Sequence, residues 1–423
     1  MTARKPFISA MLAFVMLVMI GVPRANAEDV LRLKDGRVLH GEVIREVDGY
    51  ISFRYKLAGI EQEQWFKADE YESLERDAGA QSDVGANAKK ELVQKKNYDP
   101  NVPRIAVITL GEGGSRDMVG IYMTAKALQD AIPMLEKDGV TDVVFHINSG
   151  GGLLLEIQRL SDVINDEYKP RFRCVAWIES AISAAAMTAH CLEEIYFKPE
   201  GNYGACTGWS GALVAVKGRQ LEEVLYMMEK ISAKGNHAPE IMRSMQILEP
   251  LSCTINERTG EVRWYQNTEG EIVVNDGAHI LTFDAPLAEK TKFSRGTAEN
   301  LDELALAMGY QEVVWVGEDR PGLLWPISTA EDHQMQFRAK TAEDERRTRE
   351  YFTTYQSAVA IAQGTQERED RAKFVNKARQ ALTSIDRMIK NNPNFALLVM
   401  GMLPEQYDEW YDEQQQLLRD LMK

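Results

Sequence analysis

VVFHINSGGG, residues 143–152, is the stretch that decides the fold. Val143, Val144, Phe145 and Ile147 make the near-continuous apolar run of a strand buried on both faces. Asn148 and Ser149 break that run, and Gly150, Gly151 and Gly152 let the backbone turn sharply. A turn without side chains leaves amides bare, so those of Gly151 and Gly152 are free to face a developing negative charge. Further on, a second apolar strand, residues 174–178, runs into ESAISAAAMTAH, residues 179–190. Ser183 stands there at the start of a small-residue helix, and Ala184, Ala185 and Ala186 permit close packing behind its hydroxyl. A hydroxyl beside bare amides is how a nucleophile is set against an oxyanion hole.

Outward from this pair the chain keeps a strand, helix, strand rhythm. Residues 105–110 read as a buried strand, residues 115–137 contain an amphipathic helix, and a helix over 153–165 follows the glycines. That order predicts parallel strands joined by right-handed crossovers. Helices over 219–233 and 239–247 and a β-hairpin over 254–274, turning at Thr259-Gly260, interrupt the core before its closing segment. Beyond Pro326 the chain is helical and charged, with two or three amphipathic helices parted at Gly364 and at 391–394. The apolar run 395–403 is too short to cross a bilayer and reads as a packing or partner surface. Ahead of the core, residues 30–74 alternate in short strands with turns at Asp35-Gly36 and Asp48-Gly49, which predicts a small SH3-like β-barrel module. Residues 77–103 lose apolar periodicity and read as a linker.

INSGGG and AISAA resemble the strand-and-glycine turn and the A-A-S-A-G serine segment of the ClpP/crotonase superfamily. Within it they resemble the membrane-associated branch that includes signal-peptide peptidase A and the NfeD-type proteases. GNYGA, residues 201–205, looks like that family's glycine turn after the serine helix, and residues 281–309 resemble its closing segment. The resemblance runs from about residue 105 to 309. Two positions depart from the family pattern: Gly150 replaces a proline, and Ala185 replaces the glycine two after the serine. The fold class implied is α/β with a ClpP/crotonase-like repeated ββα core at 104–315, preceded by the β-module (28–76) and linker (77–103) and followed by a helical C-terminal region, 327–423.

A serine hydroxyl is a weak nucleophile and needs a neighbouring base. His190 lies two turns beyond Ser183 on the same helix, too far to take its proton, and His237 sits in a polar KGNH loop. The NfeD-type branch uses a serine and lysine dyad, and the lysine that matches it in position is Lys217. Its neighbours Leu213, Val214, Ala215 and Val216 are apolar, and desolvation would lower a lysine toward the value a general base needs. Lys230 and Lys198 are lesser candidates, and Ser180 competes with Ser183 but precedes the helix. The blander readings are a serine chosen for tight helix packing, an ordinary exposed lysine, and a phosphate-binding glycine turn; the last lacks G-x-G-x-x-G spacing.

At the start of the chain Arg4 and Lys5 precede the apolar run 7–22, and Ala25-Asn26-Ala27 gives an A-x-A site, so residues 1–27 read as a signal peptide cleaved after Ala27; the competing reading is a retained anchor. Cleavage takes the net charge from -15 to -18, which disfavours nucleic acid. Export permits disulfides, yet Cys174, Cys191, Cys206 and Cys253 lack C-x-x-C spacing, so buried free thiols are expected, with one Cys191–Cys206 bridge as the alternative.

The sequence therefore points to an exported serine peptidase of the periplasm or cell envelope acting on a peptide or protein substrate. Ser183 is the nucleophile, Lys217 the base, and Gly151, Gly152 and Ala184 the oxyanion hole, with no cofactor or metal required. Homo-oligomers are implied by the resemblance. The alternative is an inactive scaffold that binds envelope partners through the β-module or the C-terminal helices. Acyl-CoA chemistry is disfavoured by export.

Overall fold

The computed structural model describes residues 29–34, 37–47, 50–57, 60–67, 71–75, 101–210 and 214–423. The expected leader and most of the expected linker lie outside the described residues. The chain divides into two compact units, residues 1–97 and 98–423.

In the first unit, β1 (Asp29–Leu33), β2 (Val38–Val47), β3 (Tyr50–Leu57), β4 (Ile60–Lys67) and β5 (Tyr71–Glu75) form one antiparallel sheet in the order β4-β3-β2-β1-β5. Leu31, Ile51, Phe53 and Phe66 bury one face of it, as period-two alternation requires.

The second unit is built on a twisted sheet. Its strands are β6 (Arg104–Leu110), β8 (Asp142–Ser149), β10 (Arg173–Ile182) and β11 (Glu194–Gly204), with β17 (Thr282–Asp284) and β19 (Val314–Trp315) at the edges. The order is β17-β11-β10-β8-β6-β19, and β18 (Gly296–Thr297) also pairs with β11. All pairs are parallel except that of β17 with β11. Two-residue strands β7 (Met118–Val119) and β9 (Gly151–Gly152) pair in parallel beside it.

Residues of β8 divide by parity between two apolar layers. Val143, Phe145 and Ile147 join the larger core, shared with α1 (Ala125–Lys137), α2 (Leu154–Asp162), α3 (Ala184–Ala189), α4 (Arg219–Lys234) and α5 (Pro239–Gln246). Val144 faces the other way, into a layer with Val107, Trp177 and Leu304 of α7 (Leu301–Ala307); α6 (Ala285–Lys290) precedes it in the chain. The expected hairpin over 254–274 is a three-stranded sheet: β14 (Leu251–Ile255) is central between β15 (Val262–Tyr265) and β16 (Ile272–Asn275). A second reversal, where the Gly270 amide donates to Ser252 Oγ at 2.9 Å, brings the third strand back. The four cysteines are buried free thiols, so the Cys191–Cys206 bridge is absent.

Four helices follow Pro326 rather than two or three: α8 (Thr329–Gly364), α9 (Arg368–Asn391), α10 (Asn394–Met400) and α11 (Pro404–Asp420). Their breaks fall at Gly364 and 391–394, where the sequence punctuates. The start of α8 is riveted to β6. Ser328 Oγ caps it by accepting the Glu331 amide at 3.1 Å. Glu331 accepts the Thr109 amide at 2.8 Å, and Arg338 donates to the Thr109 carbonyl at 3.0 Å, to Glu112 at 2.8 Å and to Glu331 at 3.2 Å. Both charged groups are almost fully buried, and such groups are tolerated inside only when paired and hydrogen-bonded.

Candidate active site

Strand β8 delivers the glycine turn. Ser149 Oγ donates to the Asp117 carbonyl, and the Asp117 carboxylate accepts the amides of Gly150 and Gly114, each at 3.2 Å. Gly151 has φ +105°, and a Cβ built on it would lie 2.7 Å from Ser183 Cβ and 2.9 Å from the Ile182 carbonyl. Only glycine fits both that conformation and that space. At Gly152 a Cβ would lie 2.3 Å from the Val119 carbonyl, so β7 also presses against this turn.

Strand β10 delivers the serine. Its register shifts between Ile178 and Ser180, and Ser183 turns the corner into α3 with φ 55° and ψ -124°. Left-handed φ in a residue with a Cβ is strained and persists where the surroundings over-determine it. Here the Ser183 amide donates to the Gly204 carbonyl at 2.8 Å, while α3 is buried along its whole length. The Ser183 hydroxyl is half-buried and makes no hydrogen bond with a described residue. The Ala184 amide, at the first position of α3, has no intrahelical acceptor. It stands 3.1 Å from the point where a Gly151 Cβ would be. Hydroxyl, glycine turn and bare amide thus converge, although the Gly151 amide itself donates to Ser149 Oγ at 3.1 Å.

Lys217 sits differently. β12 (Trp209–Ser210) and β13 (Val214–Ala215) form a short hairpin, and the Val216 amide returns to the Gly208 carbonyl at 2.9 Å. Val216 is buried and Lys217, next along the chain, is exposed. Val216 turns inward and sends Lys217 outward, so the burial expected for the lysine is not found. No hydrogen bond joins it to Ser183. Lys198 is committed elsewhere: it pairs with Glu179 at 3.2 Å and lies over the Trp177 ring at 5.3 Å. Lys230 is exposed over the Tyr226 ring at 4.3 Å. Ser180 Oγ donates to Asn202 at 3.0 Å.

The two histidines near the serine helix lie behind it. Tyr203 donates to the Ala186 carbonyl at 2.7 Å, so His190 Nδ1 donates to the Tyr203 oxygen at 3.0 Å. His190 stacks on His237 at 4.4 Å, and His237 Nε2 donates to the Leu192 carbonyl at 2.8 Å. Burial holds His190 well below the ordinary histidine value and pulls His237 down to about 4. Both are neutral structural rings.

A polar row on the opposite sheet face escaped the sequence reading. His146 donates to Glu179 at 3.1 Å, and Asn148 donates to its other oxygen at 2.8 Å. The bond from His146 leads the effects that bring Glu179 down to about 2. The available signal was His146 and Asn148 alternating within an otherwise apolar strand. Among the described residues no group of three or more His, Cys, Asp or Glu side chains could hold a metal ion.

No protein-family model matches the chain. It is similar to the membrane protein NfeD1b of Bacillus subtilis (strain 168), at 26% identity over 190 residues, which cover 44% of this chain and 38% of that protein. The chain thus spans about two fifths of that relative's length. Solved structures similar to it include two variants of the 1510-N membrane-bound stomatin-specific protease. The serine-to-alanine variant has TM-score 0.35 and 14% identity, covering 49% of this chain and 84% of that one. The lysine-to-alanine variant, in complex with a substrate peptide, has TM-score 0.36 and 14% identity, covering 50% and 81%. The 1510-N membrane protease specific for a stomatin homolog from Pyrococcus horikoshii follows with TM-score 0.31 and 11% identity, covering 48% and 78%.

The second unit is an α/β domain built on a mostly parallel sheet, and over 190 residues the chain is similar in sequence to NfeD1b. Among the described residues no helix is long and apolar enough to cross a membrane.

Proposed function

We propose that this chain is an exported serine peptidase of the cell envelope, with Ser183 as nucleophile and Lys217 as general base. The observation that supports it best is the strained Ser183 corner packed against Gly151, with a free hydroxyl and the Ala184 amide beside it. In the proposed reaction Ser183 Oγ attacks the peptide carbonyl carbon while its proton passes to neutral Lys217. The carbonyl oxygen becomes an oxyanion held by the Ala184 amide, with the Gly151 and Gly152 amides completing the hole. The protonated lysine then gives its proton to the leaving amine, the C–N bond breaks, and water hydrolyses the acyl-serine. Substrate covering exposed Lys217 would supply the desolvation that favours its neutral form. Cleavage of the leader after Ala27, self-association, and envelope partners bound by the β-module or C-terminal helices belong to the same reading.

The second reading, a scaffold that retains the fold without catalysis, draws on the exposure of Lys217 and the engaged Gly151 amide. Fluorophosphonate labelling of the full chain, read by intact mass and peptide mapping, separates the two. One adduct on Ser183, absent from Ser183→Ala, is the expected result. No adduct under conditions that label a control serine hydrolase selects the scaffold.

A further inference from the structure

The C-terminal helices reach the glycine turn through two buried asparagines. Residues 391–394, NNPN, break α9 from α10 because proline cannot continue a helix. Asn392 and Asn394, on either side of Pro393, are 0% and 3% exposed. Buried side-chain amides need partners, and these find them far away in sequence. Asn392 Nδ2 donates to the Ile121 carbonyl at 2.9 Å and to the Gly120 carbonyl at 3.3 Å. Asn394 Nδ2 donates to the Gly120 carbonyl at 2.8 Å and to Glu156 at 3.0 Å. Glu156, buried at the start of α2, accepts the Ala125 amide at 2.8 Å with its other oxygen.

The held segment is the one that walls the candidate site. Ile121 and Tyr122 are buried among the C-terminal helices, and the Tyr122 hydroxyl donates to Glu345 of α8. Immediately before them, Met118 and Val119 pair with Gly151 and Gly152, and the Leu153 amide donates to the Val119 carbonyl at 3.0 Å. Gly120, with φ +85°, has no room for a Cβ, which would lie 2.7 Å from the Leu153 side chain. Gly151 in turn touches Ser183. A continuous chain of hydrogen bonds and tight contacts therefore runs from the α9–α10 break through β7 to the glycine turn.

We infer that Asn392 and Asn394 are positioning residues for the candidate active site, latching β7 so that Gly151 and Gly152 keep their register beside Ser183. This inference rests on the serine-peptidase reading. Contiguity alone does not show coupling, so the test uses two independent readouts. Asn392→Ala and Asn394→Ala are made in the full chain, together with the milder Tyr122→Phe, which removes one bond and keeps the volume. In each asparagine variant the rate of fluorophosphonate labelling of Ser183 falls about tenfold, the scale of a lost buried hydrogen bond; Tyr122→Phe falls about twofold to threefold. With a peptide substrate, kcat falls and KM stays. Hydrogen exchange quickens at 118–123 and 150–153 while the central strands β8 and β10 keep their protection.

Labelling at the wild-type rate in the folded variants overturns the inference. Exchange that quickens evenly across the sheet also overturns it, since that reports general destabilisation. If an asparagine variant does not fold, Tyr122→Phe decides by the same criteria. If the wild-type chain takes no label, the peptidase reading fails, and local exchange alone decides whether the latch exists.

Discussion

Ser183 and Lys217 occupy opposite kinds of ground. Ser183 lies where the core is most constrained: a left-handed corner, a fully buried alanine helix behind it, and a glycine that tolerates no side chain in front. Lys217 lies on an exposed flank of a hairpin whose strands are two residues each. The serine's setting is held by the central sheet and the helix behind it. The lysine's setting follows a short peripheral hairpin. The proposed dyad therefore joins a tightly held residue to a loosely held one, and the lysine is the part most open to test.

The sharpest way to break this contrast is catalytic. Ser183→Ala should reduce peptide hydrolysis by roughly 10⁴- to 10⁶-fold, the range for removing a serine nucleophile. Lys217→Ala should cost about 10²- to 10⁴-fold, as removal of a general base does. The double variant should be hardly worse than Ser183→Ala alone, because both groups serve one proton transfer. Steady-state kinetics on an unstructured peptide checks all three. Activity that survives Lys217→Ala but not Lys230→Ala keeps the serine and moves the base along α4.

The same contrast explains what the sequence made legible. The glycine turn and Ser183 are local signals, each an apolar strand ended by small residues, and both can be read within a dozen positions. Helix breaks were readable for the same reason, as those at Gly364 and at NNPN, residues 391–394, illustrate. The exposure of Lys217 was not legible, because 213–216 is apolar in composition whereas exposure depends on which way each residue faces. The asparagine latch was invisible, since Asn392 finds Ile121 across 271 positions and no local pattern announces the pairing. His146 and Asn148 left a faint trace as polar residues alternating in a buried strand. Reading it required knowing that Glu179 would stand opposite.

A second test moves from chemistry to packing. Gly151→Ala would place its Cβ 2.7 Å from Ser183 Cβ at φ +105°, adding a clash to an unfavourable backbone conformation. The expected cost is ~2–4 kcal/mol in denaturant unfolding, combining overpacking with left-handed strain. Gly114→Ala is the control: its φ is +78° with open space around the added carbon, so about 1 kcal/mol is expected from the backbone alone. Equal costs at the two positions would mean that the turn gives way, and that the serine corner is less constrained than its contacts indicate.

The smallest effect concerns the rear of the serine helix, and it asks whether that side is as dry as the front is open. His237 is depressed from the ordinary 6.5 to about 4 by burial, and His190 is held well below 6.5, again by burial with the neighbouring ring adding to it. A depressed histidine binds its proton more readily in the unfolded chain, so its contribution is fully present above about 6.5 and lost as pH falls toward 4. Each ring should therefore lower the unfolding free energy by on the order of 2 kcal/mol between pH 7 and pH 5. His237→Phe keeps an aromatic ring against His190 and Phe293 and removes one titrating group. It should be somewhat less stable at pH 7, for loss of the bond to the Leu192 carbonyl, and show a flatter profile below it. Denaturant midpoints measured at half-unit steps across that range decide the matter. A slope as steep in His237→Phe as in the wild type would place the proton uptake elsewhere, on groups outside the stacked pair, and would mean that water reaches the back of the helix that carries Ser183.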